Sequence, residues 1–222
     1  MDIYTDASLN DQKKIAGIGL VFVDSPHEPS PRCWNAYFSI DNIETAELFA
    51  VSAAISHAVS YHPNVVRLFS DSTGALRKIQ RIFQYPSQRQ IQTITNPLQQ
   101  KIMYHISTSF EMMQDSDFSF HCIRGHQPKP VEFSYGYYNM LADRAAADGR
   151  LLGEMISAST TSSLKIDLEK TKIQMSKIVS PSHISFHYED LGNKPKLVVK
   201  SKNHKKARII KRAARSKYAH LR

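Results

Sequence analysis

Apolar residues recur along the N-terminal part of the chain in the short runs and alternations that are typical of β-strands. Alternation is clearest in 32–40, where every second residue from Trp34 to Ile40 is apolar. The segment 65–70 is almost continuously apolar, which predicts a buried central strand. We predict five strands, over 1–7, 15–24, 32–40, 65–70 and 117–123.

Between the strands, the apolar spacing changes to the three- and four-residue intervals of amphipathic helices. In 43–61, for example, Leu48, Val51 and Ile55 fall on one helix face. Further helices are predicted over 73–83, 97–110 and 137–155. Asparagine is a common N-cap residue, and three asparagines are interpreted as caps of these helices: Asn42, Asn96 and Asn139.

This order of elements predicts an α/β fold, a five-stranded mixed sheet flanked by helices. The stretch 157–163 is rich in Ser and Thr and has no apolar residue larger than Ala, which predicts a linker. We therefore divide the chain into a domain over 1–156 and a small basic module over 164–222. In the module, a hairpin of 184–188 with 196–200 is expected to precede a basic helix.

Charge is distributed unevenly along the chain, whose formal net charge is +9. Of the 29 Lys and Arg residues, 12 lie in 194–222, which contains no Asp or Glu. The other 193 residues hold 17 basic and 20 acidic side chains. A basic tail on a near-neutral body favours nucleic-acid binding, and the alternative is a tail that only improves solubility.

The remaining bulk features favour a cytoplasmic protein. No apolar run approaches the roughly 20 residues that cross a bilayer, so no membrane contact is expected. The chain also opens without a basic-then-apolar segment of the signal-peptide type. Cys33 and Cys122 are too few for a disulfide framework and are interpreted as reduced.

Four acidic residues stand in settings that favour a shared site. Asp6 lies inside an apolar strand, where an unpaired carboxylate is costly, and Asp71 directly follows the fourth strand. Glu47 and Asp143 lie near predicted helix starts. If the first and fourth strands are neighbours, the carboxylates form a cluster that repels itself unless divalent cations neutralise it. This pattern points to metal-dependent phosphodiester chemistry.

The acids stand within five short motifs that follow one another along the chain. The motifs are YTDAS at 4–8, TAEL at 45–48, DS at 71–72, GH at 125–126 and NxxAD at 139–143. Together with the order of helices and strands, they resemble the sequence signature of ribonuclease HI. The resemblance covers about residues 1–150, and it implies a ribonuclease H-like fold for this part of the chain.

The resemblance implies an endoribonuclease that cleaves the RNA strand of RNA·DNA hybrids with two Mg²⁺ ions, for which Mn²⁺ can substitute. One ion activates a water for in-line attack, and the other stabilises the leaving oxygen. Carried over position by position, the metal ligands are Asp6, Glu47, Asp71 and Asp143. These acids act together with His126, which assists proton movement or product release. Glu47 is also expected near the RNA 2′-hydroxyl.

The basic protrusion of some ribonuclease HI proteins is barely represented here, so the C-terminal segment is expected to supply phosphate contacts. The residues concerned are Lys205, Lys206, Arg208, Lys211, Arg212 and Arg215. Two alternatives stay open for the function. One is a nuclease of the same fold that acts on double-stranded RNA or structured DNA, and the other is a non-catalytic nucleic-acid-binding protein. A monomer is expected.

Overall fold

The computed structural model describes residues 1–25, 30–84, 91–126, 130–159 and 183–188. Its first elements are β1 (Asp2–Asn10), β2 (Ile15–Val23), β3 (Arg32–Ser39), α1 (Ile43–Tyr61) and β4 (Val65–Ser70). They are followed by α2 (Thr73–Gln84), α3 (Pro97–Glu111), β5 (Asp117–Cys122), α4 (Tyr135–Ser159) and β6 (His183–Tyr188). Asn42 and Asn96 cap α1 and α3, as the sequence predicts. Within the described ranges, no helix has the length and apolar character needed to cross a membrane.

The strands form one mixed sheet in the order β3-β2-β1-β4-β5-β6. The first three strands are antiparallel neighbours, whereas β1, β4, β5 and β6 run parallel to one another. The predicted mixed sheet with flanking helices is therefore confirmed. The number of strands was predicted wrongly, because the sheet has six strands and not five.

The additional strand, β6, comes from the region that we predicted to be a separate module. It pairs with all six residues of β5, a partner that the sequence did not predict. The hairpin of 184–188 with 196–200 stays a prediction. Phe186 stacks on Phe120 of β5 with ring centroids 4.8 Å apart, and Ile184 and Tyr188 pack against the same core. The apolar face of β6 is thus partly buried against this core. Residues 196–200 and the basic segment lie outside the described residues.

The boundary between the predicted domain and the linker also differs. Helix α4 continues to Ser159, so the first residues of the predicted linker 157–163 are helical. The small residues of this stretch do not end the helix, because Ser and Ala are tolerated in helix interiors. The rest of the linker lies outside the described residues.

The two faces of the sheet hold different cores. On one face, Phe120 and its neighbours pack against α1, α2 and α3. On the other face, Tyr4 and Phe69 pack against α4 at Ala142. Because successive side chains of a strand alternate between faces, Asp6 points to the same side of the sheet as Tyr4, toward α4.

Helix α4 lies directly on β2, and a glycine permits this contact. A Cβ atom at Gly19 would stand 2.1 Å from the carbonyl oxygen of Ala142. Gly19 pairs with Asp6 across the β1–β2 ladder, and Asp143 is the residue that follows Ala142. The close approach of helix and sheet therefore brings two of the predicted site residues to the same end of the molecule.

Candidate active site

The register of the central strands sets Asp6 and Asp71 at one edge of the sheet. Strands β1 and β4 run parallel, and Thr5 pairs with Ser70 in the last row of their ladder. Asp6 and Asp71 directly follow these two residues, so both lie at the carboxyl end of the parallel strands. Ligands of α/β sheets commonly bind at this end.

Glu47 reaches the same edge from the second turn of α1. The position of this turn is fixed by Asn42, whose Oδ1 accepts a hydrogen bond from the backbone N–H of Thr45 at 3.0 Å. One carboxylate oxygen from each of Asp6, Glu47 and Asp71 lies within 4.8 Å of the others. The structure thus brings three of the four predicted acids together.

Two oxygens of this cluster lack a hydrogen-bond donor. Asp6 Oδ1 accepts from the backbone N–H of Ala7 at 2.7 Å, but Asp6 Oδ2 and Glu47 Oε2 are buried and receive none from the described residues. Burial raises the pKa of Asp6 to about 8, and the charge of Asp71 adds to the shift. Burial also raises the pKa of Glu47 well above its usual range, with the charges of Asp6 and Asp71 as further causes. A positive charge at this point would stabilise the cluster.

Asn139 holds the third carboxylate of the cluster. Its side chain is 2% exposed and hydrogen-bonds to Asp71. Burial raises the pKa of Asp71, while nearby His126 and the hydrogen bond from Asn139 oppose that rise. The Oδ1 atom of Asn139 is buried and has no donor among the described residues. Asn139 is therefore a third buried polar group at this site with an unused bonding capacity.

The interpretation of Asn139 as a helix cap is wrong. Helix α4 begins at Tyr135, and Ser134 caps it by accepting a hydrogen bond from the backbone N–H of Tyr137 at 3.2 Å. Asn139 lies inside the second turn instead. The NxxAD motif had already placed Asn139 four residues before Asp143, a spacing that puts both side chains on one face of a helix.

Asp143 and His126 form the more exposed part of the site. Asp143 lies in the third turn of α4, and not near the helix start as predicted. The side chain of Asp143 is 43% exposed and that of His126 is 79% exposed, with 3.9 Å between Asp143 Oδ2 and His126 Nδ1. The charge of Asp143 contributes to the raised pKa values of Asp6 and Asp71. Asp143 is therefore close enough to act electrostatically on the buried cluster.

Gly125 provides the space that the Asp71 carboxylate occupies. A Cβ atom at Gly125 would stand 1.9 Å from Asp71 Oδ2, so any larger residue would displace the carboxylate. His126 follows with a φ of 50°, in the left-handed region. The loop can therefore pass directly against Asp71 and turn outward at His126.

The sequence matches the RNase H family over residues 1–150, the part of the chain that carries every residue of this site. The chain belongs to the RNase H family. Membership supports nuclease activity on RNA/DNA hybrids in general. Among curated proteins, none matches the chain.

Solved structures share the fold of this RNase H domain. The solution structure of the PFV RNase H domain is 23% identical with a TM-score of 0.53, over 68% of this chain and 94% of that chain. The Prototype Foamy Virus protease-reverse transcriptase is 24% identical with a TM-score of 0.52, over 67% of this chain and 20% of that chain. The foamy viral protease-reverse transcriptase in complex with an RNA/DNA hybrid is 21% identical with a TM-score of 0.53, over 68% and 20%. The likeness at these identities concerns the fold, and the predicted ribonuclease H-like fold is confirmed.

The residues of this RNase H domain fit a hard divalent cation. The donors of the cluster are carboxylate oxygens, which Mg²⁺ and Mn²⁺ prefer. The buried oxygens of Asp6 and Glu47 that lack hydrogen bonds have lone pairs to offer. A bound cation would also offset the repulsion within the cluster. Asp6, Glu47 and Asp71 could therefore hold a metal ion.

The structure does not describe the C-terminal residues that are predicted to contact nucleic acid. The residues that lie outside the described ranges are Lys205, Lys206, Arg208, Lys211, Arg212 and Arg215. Their role in binding stays a prediction from the charge of the sequence.

Proposed function

We propose that this protein is an endoribonuclease that cleaves the RNA strand of RNA·DNA hybrids. The observation that carries the proposal is the cluster of Asp6, Glu47 and Asp71, in which two buried oxygens lack a hydrogen-bond donor among the described residues. Such atoms are costly in a folded protein unless a ligand completes their bonding. The foamy viral structure in complex with an RNA/DNA hybrid has the same fold and supports this substrate class.

The acids would hold two Mg²⁺ ions, or Mn²⁺ in their place, with Asp143 as the fourth ligand beside Asp6, Glu47 and Asp71. When bound, the ions supply an activated water and stabilise the charge on the leaving oxygen. The chain's own contribution is to orient the carboxylates before the substrate arrives. Asn139 does this for Asp71, because its hydrogen bond limits rotation of that carboxylate.

His126 is suited to moving a proton at the open side of the site. Its imidazole is 79% exposed and lies 3.9 Å from Asp143. Histidine is the side chain that most often transfers protons in active sites. We assign it the transfer of a proton between the reacting groups and solvent. Glu47 is the acid that we assign to the RNA 2′-hydroxyl, the group that distinguishes RNA from DNA.

The test compares three substrates of identical sequence: an RNA·DNA hybrid, double-stranded RNA and double-stranded DNA, each with Mg²⁺. We expect cleavage of the RNA strand of the hybrid alone. Asp71→Asn should abolish it while the protein stays folded, since Asn has nearly the same shape and lacks the charge that a cation requires. Circular dichroism of the variant is the control for folding.

Each other outcome identifies a different function. Cleavage of double-stranded RNA or of DNA would replace the proposed substrate with another one for the same fold. Binding of the hybrid without cleavage by the wild type would identify a non-catalytic binding protein. Unchanged cleavage by Asp71→Asn would refute the assignment of the carboxylates themselves.

A further inference from the structure

A second polar network lies where the starts of α1 and α3 meet α2. The ammonium of Lys78, in the second turn of α2, forms an ion pair with Glu44 Oε2 at 2.8 Å and donates to Gln99 Oε1 at 2.7 Å. The side-chain amide of Gln99 in turn donates to Thr45 Oγ1 at 2.9 Å. Glu44 and Thr45 belong to the first turn of α1, and Gln99 belongs to the first turn of α3. One lysine thus connects three helices.

The charge of Lys78 fixes the direction of the hydrogen bonds in this network. Because an ammonium can only donate, Gln99 must turn its carbonyl oxygen toward Lys78 and its NH₂ group toward Thr45. The hydroxyl of Thr45 accepts from that amide and donates its own proton to Asn42 Oδ1, 3.4 Å away. Asn42 caps α1. The series of donors therefore begins at a charge on α2 and ends at the cap of the helix that carries Glu47.

The middle of the network is closed to solvent. Thr45 is 1% exposed and Gln99 is 5% exposed, so water cannot readily replace a lost partner. Removal of the Lys78 donor would leave a buried amide oxygen unsatisfied, or would allow the amide to rotate away from Thr45. The ion pair with Glu44 is partly exposed and contributes less to stability on its own. The main effect of Lys78 is therefore on the orientation of buried groups.

The network joins the segments that carry two acids of the catalytic cluster. Glu47 stands three residues after Glu44, about one turn further along α1. Glu44 also lies against the start of α2, because a Cβ atom at Gly74 would stand 3.1 Å from Glu44 Oε1. Gly74 in turn stands three residues after Asp71. The helix of Glu47 is thus tied to the segment that begins at Asp71.

This connection matters because the two acids repel each other when no cation is bound. A carboxylate oxygen of Glu47 and one of Asp71 lie within 4.8 Å of each other, and like charges repel more strongly inside a protein than in water. The repulsion acts to separate α1 from the chain that follows β4. Contacts outside the cluster must oppose it, and the ion pair and hydrogen bonds of Lys78 do so between these segments.

We propose that Lys78 is a positioning residue that holds Glu47 beside Asp71 for the binding of a divalent cation. It acts through its ion pair with Glu44 and, by way of Gln99, through the capped start of α1. The inference rests on the proposed function for the reaction that the cation serves. Loss of a polar group that orients a metal ligand commonly lowers metal affinity or activity by about 10- to 100-fold.

The experiment removes the charge of Lys78 and keeps most of its length. Lys78→Met lacks the ammonium, whereas Lys78→Arg retains a charge and hydrogen-bond donors. Arg81→Met is the matched control, because it removes one positive charge from an exposed position of the same helix. Isothermal titration calorimetry with Mn²⁺ alone measures metal affinity, and steady-state cleavage of a labelled hybrid gives kcat and KM separately. Circular dichroism verifies that each variant is folded.

We expect Lys78→Met to bind Mn²⁺ about tenfold more weakly and to lose about tenfold in kcat, with KM within about twofold of the wild type. Lys78→Arg should recover most of both losses, and Arg81→Met should match the wild type in Mn²⁺ affinity and kcat. Thr45→Val, which keeps the shape of the side chain and removes its hydroxyl, should also weaken Mn²⁺ binding. If Lys78→Met does not fold, Thr45→Val takes its place in the test.

Unchanged Mn²⁺ affinity in folded Lys78→Met would overturn the proposal. A higher KM with unchanged kcat and Mn²⁺ affinity would replace it with a contact between Lys78 and the substrate. An equal loss of Mn²⁺ affinity in Arg81→Met would also overturn it, because charge alone would then be the cause.

Failure of the proposed function is recognised separately. If the wild type cleaves no hybrid but Lys78→Met still binds Mn²⁺ more weakly, the positioning role stands. If the wild type cleaves hybrids and Lys78→Met keeps its Mn²⁺ affinity and kcat, only the positioning role fails.

Discussion

Two neighbouring rows on one face of the sheet have opposite characters. The ring row contains Tyr4, Phe69, His121 and His187, which are paired in register across β1, β4, β5 and β6. Their rings stack in succession at centroid distances of 4.5, 4.7 and 4.6 Å. Two residues further along the chain from Tyr4 and Phe69 stand Asp6 and Asp71, which together form the catalytic row. The buried Oδ2 atom of Asp6 has no donor among the described residues.

Residues that stabilise the fold and residues that serve the function thus lie within a few ångströms of one another. The ring row fills its space with stacked rings, and aromatic pairs of this kind are stabilising. The catalytic row keeps like charges and unsatisfied oxygens together, an arrangement that opposes folding until a ligand binds. A substitution in the catalytic row should therefore lower activity and raise stability. A substitution in the ring row should lower stability and leave most of the activity of the folded protein.

The largest effect is expected from Asp6→Asn, which removes one charge from the catalytic row. Cleavage of the hybrid should fall by roughly a thousandfold or more, as is common when a group that acts as part of a catalytic unit is lost. The metal-free protein should become more stable by about 1–3 kcal/mol, because Asn removes a buried charge that lies beside other carboxylates and has one oxygen without a donor among the described residues. Single-turnover cleavage and chemical denaturation without Mg²⁺ measure the two quantities.

Asp2→Asn is the matched control for this prediction. Asp2 is on the same strand and the same face, but its carboxylate accepts two hydrogen bonds from Arg67, each 2.6 Å long. Loss of this pair should lower stability by about 1 kcal/mol, because Arg67 is partly exposed and solvent screens the interaction. Cleavage should persist. A loss of stability in Asp6→Asn as well would contradict the contrast between a satisfied and an unsatisfied acid.

Phe69→Ala is the corresponding test of the ring row. Phe69 is 1% exposed and contacts three rings, those of Tyr4, His121 and Tyr135. We expect a loss of about 3–5 kcal/mol in the free energy of unfolding, with cleavage by the protein that stays folded reduced less than about tenfold. Phe69→Leu, which leaves a smaller cavity, should lose less stability. A thousandfold loss of cleavage in folded Phe69→Ala would show that the two rows are not separable.

The sequence pattern predicted Asp6 as a site residue because this acid violates a local rule. Asp6 stands in an apolar strand, and such an exception has few structural explanations. Asn139 gave no comparable signal, because an amide near the start of an Ala-rich helix is also what a cap looks like. The predicted helix start was two residues too late, and the cap is Ser134. Element boundaries of this kind are the least reliable part of a sequence interpretation.

The sequence also predicted which residues of β6 share a face, but not which strand they pair with. Alternation placed Ile184, Phe186 and Tyr188 together, and the structure packs all three against the main core. The partner was predicted among nearby residues, because a hairpin is the simplest solution for two adjacent strands. The structure pairs β6 with β5, where Phe186 stacks on Phe120. The hairpin with 196–200 stays a prediction, because those residues lie outside the described ones. Such complementarity between distant segments has no periodic signature.

A smaller effect, dependent on pH, is expected at His121, the third residue of the ring row. Burial lowers the pKa of His121 to about 4, and the neighbouring charges of His187 on β6 and Arg67 on β4 act in the same direction. Between the usual histidine pKa of about 6.5 and this value, the unfolded chain binds more protons than the folded protein. Stability should therefore fall as the pH is lowered from about 6.5 to 4, by about 1–2 kcal/mol after solvent screening.

Chemical denaturation of the wild type and of His121→Phe across this range isolates the contribution of His121. The difference in unfolding free energy between the two proteins should change in favour of the variant as the pH falls, because Phe keeps a ring in the row and binds no proton. A difference that is constant with pH would mean that His121 ionises as readily in the folded protein as in the unfolded chain.

The smallest effect concerns the attachment of β6 at the level of the catalytic row. Tyr188→Phe removes only the hydroxyl that donates to Gln80 Oε1 at 2.9 Å, and a single hydrogen bond of this kind contributes about 0.5–1.5 kcal/mol. Tyr188→Phe, Gln80→Ala and the double variant form a thermodynamic cycle, measured by chemical denaturation, that separates the bond from the loss of packing. A coupling energy near zero would mean that the ring of Tyr188 packs without the hydrogen bond. A measurable coupling would show that folding in solution includes β6, because Gln80 on α2 can sense Tyr188 only when the sixth strand is part of the sheet.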